Sequence, residues 1–122
     1  MSKRTVIIGA SPNPARYSYR AAEMLIEHGH EIVPVGIKRG AVFGKDILDV
    51  RSAPAIDDVD TVTLYVGEGN QEGLQAYIEK LRPRRVIFNP GAENTAMAKH
   101  LEKVGIETLE ACTLVMLRSG QY

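Results

Sequence analysis

The chain has 122 residues, 44% of them hydrophobic and 25% charged, enough for one domain (residues 1–122) with a core that needs no disulfide or metal staple. Fifteen Lys and Arg balance fifteen Asp and Glu, so no global field draws the chain to nucleic acid or an anionic membrane, and any anion site has to be local. The lone Cys112 excludes an internal disulfide, no apolar stretch approaches the roughly 20 residues of a membrane span, and the run after Met1-Ser2-Lys3-Arg4 is too short for a secretory signal, so a cytoplasmic protein is expected.

Apolar runs of strand length alternate with helix-length periodic segments. Thr5-Val6-Ile7-Ile8 is a β-branched run closed by Gly9, the pattern of a strand buried on both faces. From about Ser18 to His28 the residues Ala21, Ala22, Leu25 and Ile26 recur at helical spacing, and Gly29 stands where a helix ends. Glu31 to Val35 reads as a second strand in which Pro34 signals an interruption or a nearby sheet edge. The stretch from Arg39 to Val59 has no clear period and contains at most a short extended piece near Ile47-Leu48. Asp60 to Val66 is a third clear strand. Asn70 is a candidate cap for a helix running to about Leu81, with Leu74, Tyr77, Ile78 and Leu81 on one face and Pro83 as a stop. A fourth strand spans Arg85 to Asn89. A helix then starts at Asn94 or Thr95, carries Ala98, Leu101 and Val104, and ends at Gly105 before a fifth strand from Ile106 to Leu109. Leu114 to Leu117 forms a packed terminal segment that either covers the sheet or makes a homodimer contact.

Strand–helix–strand repetition with continuous apolar strands predicts an α/β fold: a single, doubly wound parallel sheet of about five strands, Rossmann-like. In such sheets ligands sit at the strand C-terminal ends, where the strand order reverses, which places the loop after the first strand at the site. That loop begins Gly9-Ala10-Ser11-Pro12-Asn13-Pro14. Gly9 allows close backbone approach, Ser11 and Asn13 are short donors, the next helix offers unpaired N–H groups, and Arg16 adds a forked cation, all suited to phosphate. Ser11 and Pro14 stand where a dinucleotide fingerprint requires glycine, so the usual NAD mode is disfavoured. The same residues also suit an ordinary strand-to-helix turn.

The second strand runs out into Gly36-Ile37-Lys38-Arg39, with two cations where an NAD site carries an acid for the ribose hydroxyls. Taken by themselves Lys38 and Arg39 are an ordinary solvated loop pair. Beside a phosphate loop they favour a phosphorylated ribose, as in coenzyme A or NADP. Asn89-Pro90-Gly91 after the fourth strand, and Gly67-Glu68-Gly69 after the third, are further candidate rims of the same crevice.

Three segments together, Val6 to Pro14, Ser18-Tyr19-Arg20-Ala21 and Gly29 to Val35, resemble the small stand-alone CoA-binding proteins. These are similar to the CoA-binding domain of the succinyl-CoA synthetase α subunit. The resemblance extends through Gly44, Val59-Asp60, Asn89-Pro90-Gly91 and Gly105-Ile106, nearly the whole chain. It implies that Gly9, Ala10, Ser11 and Asn13 meet a pyrophosphate, with Arg16 and Ser18 close by and Lys38 near the ribose phosphate. The family usually has Val-Asn-Pro where this chain has Val35-Gly36-Ile37, a departure at the adenosine end.

Catalytic groups are sparse. His28 and His30 flank a turn, His100 lies beside Lys99 on a helix face, and no His, Cys or acid set has metal-ligand spacing. Cys112 is the one candidate nucleophile, at the start of a short helix over Thr113 to Leu117, and small buried cysteines are commonly inert. The ligases' phosphorylated histidine belongs to a separate domain, so the resemblance implies no thioester synthesis by this chain alone. The expected function is capture of CoA or an acyl-CoA as sensor, carrier or partner subunit of an acyl-CoA enzyme. The alternatives are an NADP-dependent oxidoreductase with Tyr65 or Tyr17 as proton donor, and an interaction protein with a vestigial nucleotide site.

Overall fold

A computed structural model describes residues 2–122. Six strands form one wholly parallel sheet: β1 (Thr5–Ile8), β2 (Ile32–Gly36), β5 (Leu48–Asp49), β6 (Thr61–Leu64), β7 (Arg85–Phe88) and β8 (Glu107–Glu110), in the order β5-β2-β1-β6-β7-β8. Two further strands, β3 (Ala41–Val42) and β4 (Lys45–Asp46), pair as a small antiparallel hairpin outside it. The helices are α1 (Tyr17–Glu27), α2 (Leu74–Leu81), α3 (Thr95–Lys103) and α4 (Thr113–Arg118). The chain steps from β1 to β2 and β5 on one side, then returns to β6 on the other, so strand order reverses at β1.

The alternation of side chains along each strand divides the core between two faces. Val6 and Ile8 point into a cluster with Leu74, Tyr77 and Ile78 of α2 and Met97 and Leu101 of α3. Ile7 between them points the other way, toward Ala22 and Leu25 of α1 and Leu117 of α4. This is the doubly wound α/β sheet that the periodicity predicts. The helix stops follow from the sequence as well. Gly29 (φ +82) and Gly105 (φ +90) take the left-handed turns after α1 and α3, and the Asn94 side chain caps α3 by accepting from the Met97 N–H at 3.0 Å.

The structure amends two expectations, the strand count and the Asn70 cap, and decides between the alternatives left open for Pro34 and the terminal segment. The sheet has six strands rather than about five, because two residues near the expected extended piece, Leu48 and Asp49, add β5 beside the end of β2. Their pairing reaches only Val35 and Gly36, so Pro34 lies on what is effectively an edge and its missing N–H leaves no gap in a ladder. Asn70 does not cap α2. It closes a 3-10 turn, and α2 begins after Gly73. The terminal segment does cover the sheet: Leu114, Met116 and Leu117 are buried, while Val115 is exposed.

Candidate functional site

The loop after β1 is wedged between the ends of the two neighbouring strands. Gly9 (φ +97) turns the chain, and the N–H groups of Gly9 and Ala10 both donate to the Val35 carbonyl, at 2.9 and 3.1 Å. A Cβ on Gly9 would stand 3.1 Å from the Tyr65 carbonyl, and one on Gly36 would stand 3.1 Å from the Ala10 oxygen, so each glycine is fixed by backbone pressing against it. The loop then braces itself. The Asn13 N–H donates to the Ser11 hydroxyl oxygen at 3.1 Å, and the Asn13 side-chain oxygen accepts from the Ala15 N–H at 3.0 Å. These turns use up the first donors of the loop and deliver the chain, through Arg16, into α1.

Above the strand ends lies a cleft of about 720 Å³ that crosses five of them, from β5 and β2 through β1 to β6 and β7. Gly9, Ala10, Ser11, Arg16 and Ser18 form its centre, Gly36, Ile37, Lys38 and Val50 one end, and Val66, Gly67, Asn70, Pro90, Gly91 and Ala92 the other. Two cations and no Asp or Glu line it. The N-cap of α1 is Arg16, whose side chain makes no cap bond, and the first turn of α1 has no acidic residue. The partial positive charge of that helix end therefore has no carboxylate set against it and stands beside a guanidinium. Ser18 is 5% exposed, lines the cleft, and its hydroxyl takes part in no hydrogen bond among the described residues.

The structure brings nine of the twelve sequence-derived candidates into this wall: Gly9, Ala10, Ser11, Arg16, Ser18, Gly36, Lys38, Pro90 and Gly91. It leaves three out. Asn13 serves the turn just described. Arg39 is exposed and stands toward Asp49, whose carboxyl it helps hold below the usual range, behind the larger effect of Arg51. Asn89 is 1% exposed beneath the cleft. Its amide nitrogen donates to the Thr63 hydroxyl (2.7 Å) and the Leu64 carbonyl (3.0 Å), and its oxygen accepts from the Thr113 N–H (2.9 Å). Asn89 thus fastens β7 to β6 and α4. Among the residues missed, Ile37 and Val50 carry no signal beyond being apolar near a strand end. Gln71 is 4% exposed and bridges the β6 and β7 loops, although polar residues before a helix usually read as surface.

Of the candidate chemical groups only the two tyrosines reach the cleft, Tyr17 as an exposed residue of its wall. The Tyr65 ring reaches the cleft, but its hydroxyl is buried without a hydrogen-bond partner, close to Thr63 and Thr113, whose hydroxyls bond each other at 2.8 Å. Burial pushes that phenol up to about 12. Cys112 is the N-cap of α4, His30 accepts from the Lys3 N–H at 3.0 Å, and His100 meets Glu79 across α2 and α3 at 2.6 Å.

Residues 3–118 match the CoA binding domain family. The chain belongs to that family. Its fold is shared with a solved structure described as an uncharacterized protein, 50% identical, with a TM-score of 0.96 over 100% of this chain and 99% of the other. A conserved hypothetical protein from Pyrococcus furiosus is 27% identical, with a TM-score of 0.77 over 93% of this chain and 97% of its own. An NADPH-dependent glyoxylate/hydroxypyruvate reductase from Sinorhizobium meliloti, 16% identical, shares the fold at a TM-score of 0.66 over 90% of this chain and 47% of its own. None of the curated proteins matches the chain. No helix of the described residues is long and apolar enough to cross a membrane.

Proposed function

We propose that the cleft binds coenzyme A or an acyl-CoA, with its phosphates over the first turn of α1, and that the chain does so without catalysing a reaction. The observation that carries this reading is the uncompensated positive charge. In a chain with fifteen acidic side chains, the cleft wall has Arg16 and Lys38, an uncapped helix N-terminus and no carboxylate. A phosphate supplies the missing charge and accepts from the free first-turn amides. The residues fit such a group: the Ser18 hydroxyl is a spare donor, and the Ser11 hydroxyl, which accepts from Asn13, still has its own hydrogen to give.

The length of the cleft favours a nucleotide with an arm. Five adjacent strand ends at about 4.8 Å spacing span roughly 19 Å. Lys38 at the β2 end suits a ribose phosphate, while the β6 and β7 end offers Val66, Pro90 and Ala92, an apolar bed for an uncharged chain. Membership in the CoA-binding domain family supports the same ligand. For the non-catalytic role, the support is the wall itself: no His, Cys or acid contributes to it. The NADP-dependent alternative finds less support, since the Tyr65 hydroxyl is turned into the core and Tyr17, although it lines the cleft, is 70% exposed and so open to water.

Titration calorimetry with CoA, dephospho-CoA, NADP and NAD tests the proposal. CoA is expected to bind about tenfold or more tightly than dephospho-CoA, as loss of one charge-assisted contact entails. Equal affinity for the two would remove Lys38 from the ribose phosphate, and no affinity for CoA would remove the function.

A further inference from the structure

At the β6–β7 seam the sheet stops short of the cleft wall. The last ladder contact between these strands is the Asn89 N–H to the Leu64 carbonyl, at 3.3 Å. Beyond it the two chains continue as separate loops that form one end of the cleft, and Gly67 and Gly91 merely approach each other. One side chain spans them. The Gln71 amide nitrogen donates to the Val66 carbonyl at 2.7 Å and to the Ala92 carbonyl at 2.8 Å, and its oxygen accepts from the Asn94 amide at 2.8 Å. Both N–H groups are thus used on two carbonyls, one from each loop, and Asn94 is itself anchored as the cap of α3.

We propose that Gln71 is the positioning residue that sets the separation of the two loop walls, and so determines affinity for the uncharged arm of the ligand rather than for its nucleotide. This rests on the CoA reading of the cleft. The chemistry is demanding. Only a group with two donors can satisfy both carbonyls, and a Glu in its place would set a carboxylate against two oxygens, forcing the loops apart or taking up a proton. A protonated Glu restores one donor, which makes its effect reversible with pH.

The test is calorimetric titration of CoA and of adenosine 3′,5′-bisphosphate, which lacks the arm, into the wild-type chain, Gln71→Glu and the length-matched Gln71→Met. For Gln71→Glu at pH 8 the CoA affinity is expected to fall about tenfold or more, from the loss of buried hydrogen bonds, with the bisphosphate within about twofold of wild type. Relative to wild type at each pH, the Gln71→Glu loss should shrink toward pH 5.5, whereas the Gln71→Met loss should not change. If both ligands weaken equally, or the Glu variant shows no pH-dependent recovery, the residue is merely structural and the inference is overturned. Should Gln71→Glu fail to fold, the split between the two ligands in Gln71→Met decides. A wild-type chain that binds neither ligand overturns the CoA reading itself, a different result from a wild type that binds both and variants that match it.

Discussion

The Tyr65 hydroxyl lies within a short reach of two threonine hydroxyls that have chosen each other, so it has lost its water and gained only weak contacts with them in return. Tyr77 is the internal contrast: its hydroxyl is also shielded and pushed up to about 12 by burial, yet it donates to the Pro54 carbonyl at 2.8 Å. Removing an unsatisfied group costs nothing and removing a satisfied one costs a bond. Tyr65→Phe is therefore expected to leave stability unchanged or raise it by up to about 1 kcal/mol, and Tyr77→Phe to lower it by about 1 kcal/mol, in urea denaturation. The cations separate in the same manner. Lys38 lines the cleft and Arg39 stands outside it, so Lys38→Ala should weaken CoA binding about tenfold and reduce its salt dependence, while Arg39→Ala should change either by less than about twofold. Equal effects of the two would mean that the ribose phosphate lies outside the wall described by the fold.

At the scale of elements, the β1–α1 loop is held by what its neighbours lack. Gly36 has ordinary strand geometry, so its requirement is one of space rather than backbone freedom: the Ala10 backbone fills the position of a side chain. Gly36→Ala is expected to cost roughly 1–3 kcal/mol in overpacking, and to shift the loop enough to weaken CoA binding, measured by denaturation and calorimetry side by side. This also gives the departure from Val-Asn-Pro a physical counterpart, since an Asn at this position would need a more distant loop. The long elements were legible because their signals are local: β-branched runs closed by glycine, apolar faces at helical spacing, and Asn94 as a cap. Of the two-residue strands, β5 was legible only as an extended piece near Ile47-Leu48 and the β3–β4 hairpin not at all, as two residues have no period. In the cleft, Gly9, Ala10, Ser11, Arg16 and Ser18 were legible from their place after the first strand, whereas Asn13 went to the turn. Asn89 and Gln71 were not, because whether an amide faces a ligand or a carbonyl is decided by partners 21 to 26 positions away, such as Thr63, Thr113 and Ala92.

The molecule as a whole places opposite concerns at the two ends of its sheet. The strand C-terminal ends keep cations free for a ligand, whereas the N-terminal ends consume them. There Arg85, 5% exposed, donates to the Thr61 hydroxyl at 2.9 Å and to the Tyr122 carbonyl at 3.1 Å, Lys3 also donates to that carbonyl, and the Tyr122 hydroxyl meets that of Thr5. The Tyr122 ring lies under the Arg85 guanidinium and beside the His30 ring. In this corner His30 accepts a proton at a cost. Burial first, then the charges of Lys3, His28 and Arg85, hold its pKa below the usual 6.5. Its folded value is lower than its unfolded one, so the unfolded chain binds more protons in the interval between them, and stability falls as pH drops from above 6.5 through that interval. Asp60 acts later. Burial would raise its pKa, but bonds from Arg84 and Thr61 outweigh that and hold it below 3.8, so its contribution is lost only in stronger acid. Thermal melts from pH 8 to pH 3 should accordingly show two declines, one beginning near 6.5 and one near 4. His30→Asn keeps an acceptor for the Lys3 N–H but has no proton to take up. It is expected to flatten the first decline and leave the second in place. A first decline that persists in His30→Asn would assign it to another group and release the Tyr122 corner from any part in the acid response.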